Sequence, residues 1–188
     1  MARPHPGGDF ERCLIGFAGG LLGAVAMNVF SRAVSSAGGG REATGAAPGD
    51  DRDGRGVQPP QAEDVAEDDA TVRVGTVAYR ALTGRAPTRE TRSWLGTAVH
   101  YAFSGTLGAC YVIMAERLPG IRAAHGIAYG TAVWIVADEM IMPLLGLSRG
   151  PRQLPLGVHA YALAGHWMYG LTLESAVRAG LHIRPHGA

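Results

Sequence analysis

The stretch "VWIVADEMIMPLLGL", from Val133 to Leu147, places two adjacent carboxylates, Asp138 and Glu139, in a run that is otherwise almost wholly apolar. Adjacent carboxylates are typical of a wet surface, whereas the Trp, Ile, Val, Met and Leu residues around them are typical of a core or a bilayer. A soluble helix would show a polar stripe that recurs every three or four residues. Because that stripe is missing, the stretch predicts a membrane helix whose polar residues face the inside of a bundle.

Three further apolar segments of similar length lie outside this stretch, at 13–30, 94–115 and 156–177. A bilayer core of about 30 Å needs roughly 20 helical residues, so each segment is long enough to cross it. The first segment is longer than the apolar part of a signal peptide, which favours a retained span. Charged residues make up only 18% of the chain. The predicted fold is all-α, a bundle of four transmembrane helices.

The chain divides at changes in polarity. We expect a tail at 1–12, the first transmembrane helix at 13–30, a polar extramembrane loop at 31–92, the other three transmembrane helices at 93–178, and a tail at 179–188. Within the loop, 38–60 has the composition of a disordered segment. An amphipathic helix is predicted at about 62–83, because Ala70, Val74, Val77 and Ala81 recur at helical spacing, with Gly84 suited to its C-terminal cap.

Small residues four positions apart indicate where helices pack closely in a bilayer. Four such pairs occur in the apolar segments, and together they comprise Gly16, Gly19, Gly20, Gly23, Ser104, Gly108, Gly126 and Gly130.

Polar residues in the four helices fall at a similar depth, measured from the end that bears the long loop at 1.5 Å per residue. This predicts one polar cluster, composed of Asn28, His100, Asp138, Glu139, His159 and His166. Pro143 has no N–H, so the carbonyl of Glu139 is expected to lose its helical partner beside this cluster.

Three interpretations of the cluster stay open: a structural polar network, a proton-responsive site, and a metal site. The metal candidates are His100, Asp138, Glu139 and His166, although they lack the compact spacing of an HExxH motif. No cofactor is predicted. At the opposite end of the helices, Glu174 and Arg178 are expected to form only a surface ion pair.

The remaining sequence argues against several functions. A net charge of +1 without a basic face argues against nucleic-acid binding. No nucleophile elbow, phosphate loop or dinucleotide fingerprint is present, so catalysis is not predicted, although an enzyme is not excluded. The lipid bilayer is the expected partner; protein partners, including a second copy of the chain, stay open.

From Trp94 onward the sequence resembles the YagU-like family of uncharacterised bacterial inner-membrane proteins. The resemblance rests on "HYAFSGTLGACYVIMAERLPGI", "PLLGL" and "AGHWMYGLTLESAVR". The residues that match the pattern are His100, Ser104, Gly108, Tyr111, Glu116, Pro119, Pro143, Gly146, Gly165, His166 and Glu174. The Asp138–Glu139 pair departs from it.

The resemblance implies a small multi-pass protein of the inner membrane, with cytoplasmic termini and a link to acid stress but no established reaction. Arginine counts on the two sides nearly tie, so the orientation rests on the resemblance. The leading hypothesis is a membrane protein whose His–carboxylate cluster responds to protons. The alternatives are a membrane-embedded metalloenzyme and a structural partner subunit of a membrane complex.

Overall fold

A computed structural model describes residues 6–42, 70–148 and 151–182 of the chain. These residues form helices and connecting turns, with no strand among them, which confirms the all-α prediction. The five helices are α1 (Pro6–Glu42), α2 (Ala70–Thr83), α3 (Arg89–Arg117), α4 (127–144) and α5 (Leu156–His182). A 3₁₀ segment, Pro119–Gly126, joins α3 to α4.

Three segments are long and apolar enough to cross a membrane: Gly8–Ala37, Arg89–Arg117 and Gly120–Leu144. Many of their large apolar side chains, such as Leu22, Val29 and Ile113, point away from the bundle and are exposed. Exposed apolar surface of this kind is what a membrane-spanning bundle presents to lipid. The fourth predicted span, α5, has the length of a span but is not among these three segments, and it carries polar residues such as His159, His166 and Glu174.

The first and third helices are longer than the apolar runs that predicted them. The helix α1 continues to Glu42, through Gly38 and its neighbours, where the sequence suggested disorder; residues 43–60 lie outside the described residues. The helix α3 begins at Arg89, where the Oγ1 of Thr88 accepts a hydrogen bond from the N–H of Thr91 at 3.2 Å. Polar residues mark the end of a membrane span, but they do not end the helix. The backbone hydrogen bonds of the helix continue until a proline or a cap interrupts them.

The helix α2 is described from Ala70 to Thr83, and the predicted first part, 62–69, lies outside the described residues. Its last turn is followed by Gly84 at φ +68°, as the sequence predicts. Of the apolar residues that predicted this helix, Val77 is 61% exposed. The contact with α3 is made by Gly75, which lies against Leu95, and by Val72, which lies against Gly96. Glycine on each helix lets the two backbones approach closely.

The bundle is packed through glycines that face backbone on the neighbouring helix. On α1, Gly16 faces the carbonyl of Gly108 and Gly20 faces that of Ser104, both on α3. The remaining predicted packing residues also lie at helix contacts: Gly19 against Leu173, Gly23 against Tyr169, Gly126 against Gly170 and Gly130 against the carbonyl of His166. The helix α5 therefore lies between α1 and α4.

The centre of the bundle is built from aromatic and apolar side chains. Tyr111, Tyr129 and Tyr169 are buried in a row, with ring centroids 4.8 Å and then 6.5 Å apart. Two of their hydroxyls donate to backbone carbonyls: Tyr129 to Leu107 at 2.6 Å and Tyr169 to Ser104 at 2.7 Å. This row separates two polar regions, one toward each end of the helices.

Candidate functional site

The two adjacent carboxylates lie on a π-helical segment of α4. The segment is Trp134–Ile141, eight residues in which the backbone bonds span five positions, and it lies between α-helical Ile127–Val133 and Met142–Leu144. At its end the N–H of Met142 donates to the carbonyl of Ala137, and the next residue, Pro143, has no N–H. The ladder therefore lacks a donor at the level of Asp138 and Glu139. π-Helical segments are rare and frequently occur at functional sites.

Glu139 pairs with a histidine at the start of α5. Its Oε1 lies 2.7 Å from Nδ1 of His159, and the other ring nitrogen, Nε2, lies 2.9 Å from the backbone carbonyl of Pro151. Both partners are oxygen atoms that accept hydrogen bonds. A neutral imidazole has only one N–H, so satisfying both contacts requires one further proton, either on the ring or on the carboxyl group.

Asp138 faces a second histidine on the same helix. Its Oδ2 lies 3.6 Å from Nε2 of His166, and Nδ1 of that ring lies 2.9 Å from the carbonyl of Ala162. The ring of His166 thus also lies between a carboxylate and a backbone carbonyl. Because His159 and His166 are seven residues apart, they share one face of α5, and the adjacent carboxylates reach one histidine each.

These four side chains line a cavity of about 350 Å³, which His100 of α3 also lines. Most of the remaining wall is apolar or aromatic, including Phe103, Leu107 and Trp134. The side chain of Asp138 is 41% exposed, so the acidic wall is accessible from outside the bundle. The cavity therefore combines an apolar wall with titratable groups from three helices, as small-molecule and ion sites do.

Trp134 places an aromatic ring beside the Glu139–His159 pair. Its ring lies edge-on to His159, with the ring centroids 6.3 Å apart. The indole Nε1 is buried and has no hydrogen-bond partner among the described residues. The indole is thus placed to report on the charge of its histidine neighbour.

One predicted member of the cluster lies outside the cavity wall. The Nδ2 of Asn28 donates to the hydroxyl of Tyr101 at 3.0 Å. Tyr101 in turn lies edge-on to His100, with ring centroids 5.5 Å apart. Asn28 therefore reaches the cluster only through another side chain, because helical depth predicts level along the axis but not direction around it.

The described residues do not favour the metal interpretation. Nowhere in the described ranges do three His, Cys, Asp or Glu side chains come together in an arrangement that could hold a metal ion. Of the four candidates, Asp138 and His166 are 3.6 Å apart, and Glu139 is paired with His159 instead.

A second polar cluster was missed by the sequence reasoning. Glu174, expected at the surface, is fully buried, and it accepts hydrogen bonds from the Tyr111 hydroxyl, from Arg122 Nε at 3.1 Å and from Arg178 Nε at 2.6 Å. Only the pairing of Glu174 with Arg178 follows from their spacing. The signal available was a carboxylate within an apolar helix, which needs a partner wherever it is not at the surface.

No curated protein and no solved structure matches the chain. A family model matches residues 85–175, the stretch that carries α3, α4, most of α5 and all five His, Asp and Glu residues of the cavity wall. This match is consistent with the YagU-like resemblance. Over residues 85–175 the chain is similar to the family described as "protein of unknown function (DUF1440)".

Proposed function

We propose that this chain is a proton-responsive membrane protein that crosses the bilayer four times, with α5 as the fourth span. Its termini lie in the cytoplasm and the membrane is the bacterial inner membrane, as the family resemblance implies. The His–carboxylate cavity takes up protons as the pH falls, which fits a role in acid stress. The observation that supports this proposal is the position of the His159 ring between two hydrogen-bond acceptors, with His166 at ion-pair distance from Asp138.

The proton requirement follows from that geometry. When the additional proton is absent, one contact of the His159 ring sets two acceptors against each other: Nδ1 against the Glu139 carboxylate or Nε2 against the Pro151 carbonyl, according to the tautomer. The ring then keeps only one of its two hydrogen bonds, and its hold between α4 and the start of α5 is weakened. Falling pH supplies the additional proton and completes both contacts of the ring, and rising pH removes the proton and weakens one of them.

The location of the carboxylates also suits a conformational response. They lie on a π-helical segment whose backbone ladder lacks the donor that Pro143 cannot supply, so the side-chain contacts add to what the backbone provides there. Both contacts run to α5. A change in the protonation of either pair therefore alters how the two helices pack at this end of the bundle.

The test uses Trp134 as an internal reporter. With Trp94 and Trp167 replaced by phenylalanine, fluorescence of the remaining indole is recorded against pH in proteoliposomes. A protonated imidazole quenches a neighbouring indole, so we expect a fluorescence decrease as the pH falls through the histidine range. In His159→Gln the transition should disappear, and in Glu139→Gln its midpoint should move to lower pH, because the carboxylate that favours the protonated ring is gone. The matched control is Glu90→Gln, a carboxylate in the first turn of α3 outside the cavity wall.

A flux measurement decides whether the response includes transport. Proteoliposomes with an internal pH dye are exposed to an acid jump, with Glu139→Gln and Asp138→Asn as variants. A pH-dependent Trp134 signal without flux would assign a sensor, and loss of flux in both variants would assign a proton path. A Trp134 signal that does not change between pH 4 and 8 would refute proton response and leave only a structural role.

A further inference from the structure

The second polar cluster, at the end of the bundle opposite the cavity, concentrates positive charge on one buried carboxylate. Both guanidinium groups bond through Nε to the same oxygen, Oε1 of Glu174, from Arg122 at 3.1 Å and from Arg178 at 2.6 Å. Oε2 is occupied by the hydroxyl of Tyr111. Two cations share one anion, so the cluster carries a surplus positive charge.

Both arginines keep donors for a further ligand. Their side chains are 37% and 46% exposed, whereas Glu174 is fully buried. Each arginine bonds to Glu174 through Nε, and Arg122 also contacts the Tyr111 hydroxyl, so both guanidinium groups keep further N–H donors. An arginine fork has five N–H donors, and its flat edge matches two oxygens of a phosphate group.

The cluster lies at the level of a membrane surface. Arg122 is two residues into the apolar segment Gly120–Leu144. Arg178 comes 22 residues after the first residue of α5, Leu156, a distance of about 33 Å along a helix, close to the thickness of a bilayer core. Positive side chains at this level meet the phosphates of lipid headgroups.

The connection between α3 and α4, which carries Arg122, has a strained backbone. Ala124 and His125 adopt positive φ angles of 50° and 56°, which residues with a Cβ rarely do, and they are followed by Gly126 at 89°. Gly126 lies against the backbone of Gly170, where a Cβ would collide with the carbonyl. His125 Nε2 lies 3.2 Å from the Ser175 hydroxyl on the next turn of α5. This turn holds the Arg122 side of the cluster against α5.

We propose that Arg122 and Arg178, aligned by Glu174, bind the phosphate group of an anionic lipid headgroup at this end of the bundle. The phosphate neutralises the surplus charge and accepts hydrogen bonds from both forks. This site rests on the membrane location of the chain and not on the proton response at the other end, so either proposal can fail alone.

Binding is measured on the purified full-length chain in detergent, by native mass spectrometry and by thermal unfolding. The probes are phosphatidylglycerol, phosphatidylcholine and inorganic phosphate. We expect phosphatidylglycerol to bind in preference to phosphatidylcholine, to raise the melting temperature, and to do both less at high salt. Arg178→Gln should weaken phosphatidylglycerol binding about fivefold, and Arg122→Gln about equally. The matched control is Arg152→Gln, an exposed arginine between α4 and α5, which should bind as the wild type does.

A double variant keeps the test decisive if a single change disturbs folding. Glu174→Gln with Arg178→Gln removes the buried carboxylate and one arginine together, so the net charge is unchanged while the paired forks are lost. We expect the same fivefold loss of phosphatidylglycerol binding. Unchanged binding in the double variant, or equal loss in Arg152→Gln, would refute the paired site. Equal protection by inorganic phosphate alone would assign the site to free phosphate instead of lipid.

Discussion

At the scale of single residues, the hydrogen-bonding capacity of a side chain decides what it does in this bundle. His159 contacts two acceptors and therefore requires a proton, whereas Glu174 has only donors around it and is stabilised as an anion. Both groups lie in apolar surroundings, where an unsatisfied polar atom costs far more than in water. The partners, and not the residue type, distinguish a group that exchanges protons from one that holds a charge.

Two buried tyrosines allow this difference to be measured. Tyr111 donates its hydroxyl to the carboxylate of Glu174, and Tyr129 donates to the neutral carbonyl of Leu107. A hydrogen bond to a charged acceptor contributes about 1.5–3 kcal/mol, against about 1 kcal/mol for a neutral one, and both values are smaller in membranes. We therefore expect Tyr111→Phe to lower the free energy of unfolding by about 1 kcal/mol more than Tyr129→Phe.

The measurement is unfolding in mixed micelles of increasing denaturing detergent. The two variants control for each other, because both remove one hydroxyl from neighbouring buried rings. Equal losses of stability would mean that Glu174 is not held as an anion by its partners.

The residue scale also marks a limit of sequence reasoning. The common depth of His100, Asp138, Glu139, His159 and His166 follows from counting residues along helices, and all five line one cavity. Which carboxylate meets which histidine depends on rotation about the helix axes. That rotation is set by packing, and in α4 it is altered by the π-helical segment.

At the scale of secondary-structure elements, the helices pack closely at glycines, which have no side chain to hold them apart. Lipid tails are as apolar as leucine, so helices in a bilayer gain little from hydrophobic burial and rely on close van der Waals contact. Gly16 and Gly20 of α1 lie against the backbone of α3, where any Cβ would collide with a carbonyl. The spacing of the small residues indicates such contacts, but the partner helix is decided only by the tertiary arrangement.

A pair of glycine substitutions tests this packing. In Gly20→Ala the new methyl group meets the carbonyl of Ser104, which cannot move without shifting α3, so we expect a loss of about 1–3 kcal/mol in unfolding free energy. In Gly165→Ala the nearest atom is the flexible end of Met27 at 3.5 Å, an ordinary contact, and the stability should change little.

Both variants add one methyl group within a long helix, so unfolding in mixed micelles compares them directly. A destabilisation of Gly165→Ala as large as that of Gly20→Ala would show that the α1–α3 contact is not the cause.

At the scale of the whole molecule, the bundle has two polar ends separated by the buried tyrosines. The His–carboxylate cavity lies at the end that bears the long loop, and the Glu174 cluster lies at the other end. Four spans would place these ends at opposite membrane surfaces. Under our two proposals, the protein responds to pH at one surface and holds lipid at the other.

The number of spans is tested by labelling single cysteines with an impermeant maleimide in sealed inverted and right-side-out vesicles. With Cys13 and Cys110 replaced by alanine, we expect Thr88→Cys and Arg152→Cys to react from one side, and Gly120→Cys and Ala188→Cys from the other. Because α5 lies between Arg152 and Ala188, these two positions decide whether it crosses. Labelling of both from the same side would reduce the number of spans to three.

The sequence alone determined that the chain is helical, that it is built for a membrane, and that its polar residues gather at common depths, because composition, length and rise per residue act along the chain. Tertiary structure decided which of those residues meet: the two histidines that take one carboxylate each, the exclusion of Asn28 from the cavity wall, and the burial of Glu174 between two arginines. These outcomes depend on the rotation and contact of helices distant in sequence. Those contacts form where glycine lets two backbones come close together, and no local sequence pattern predicts which backbones these are.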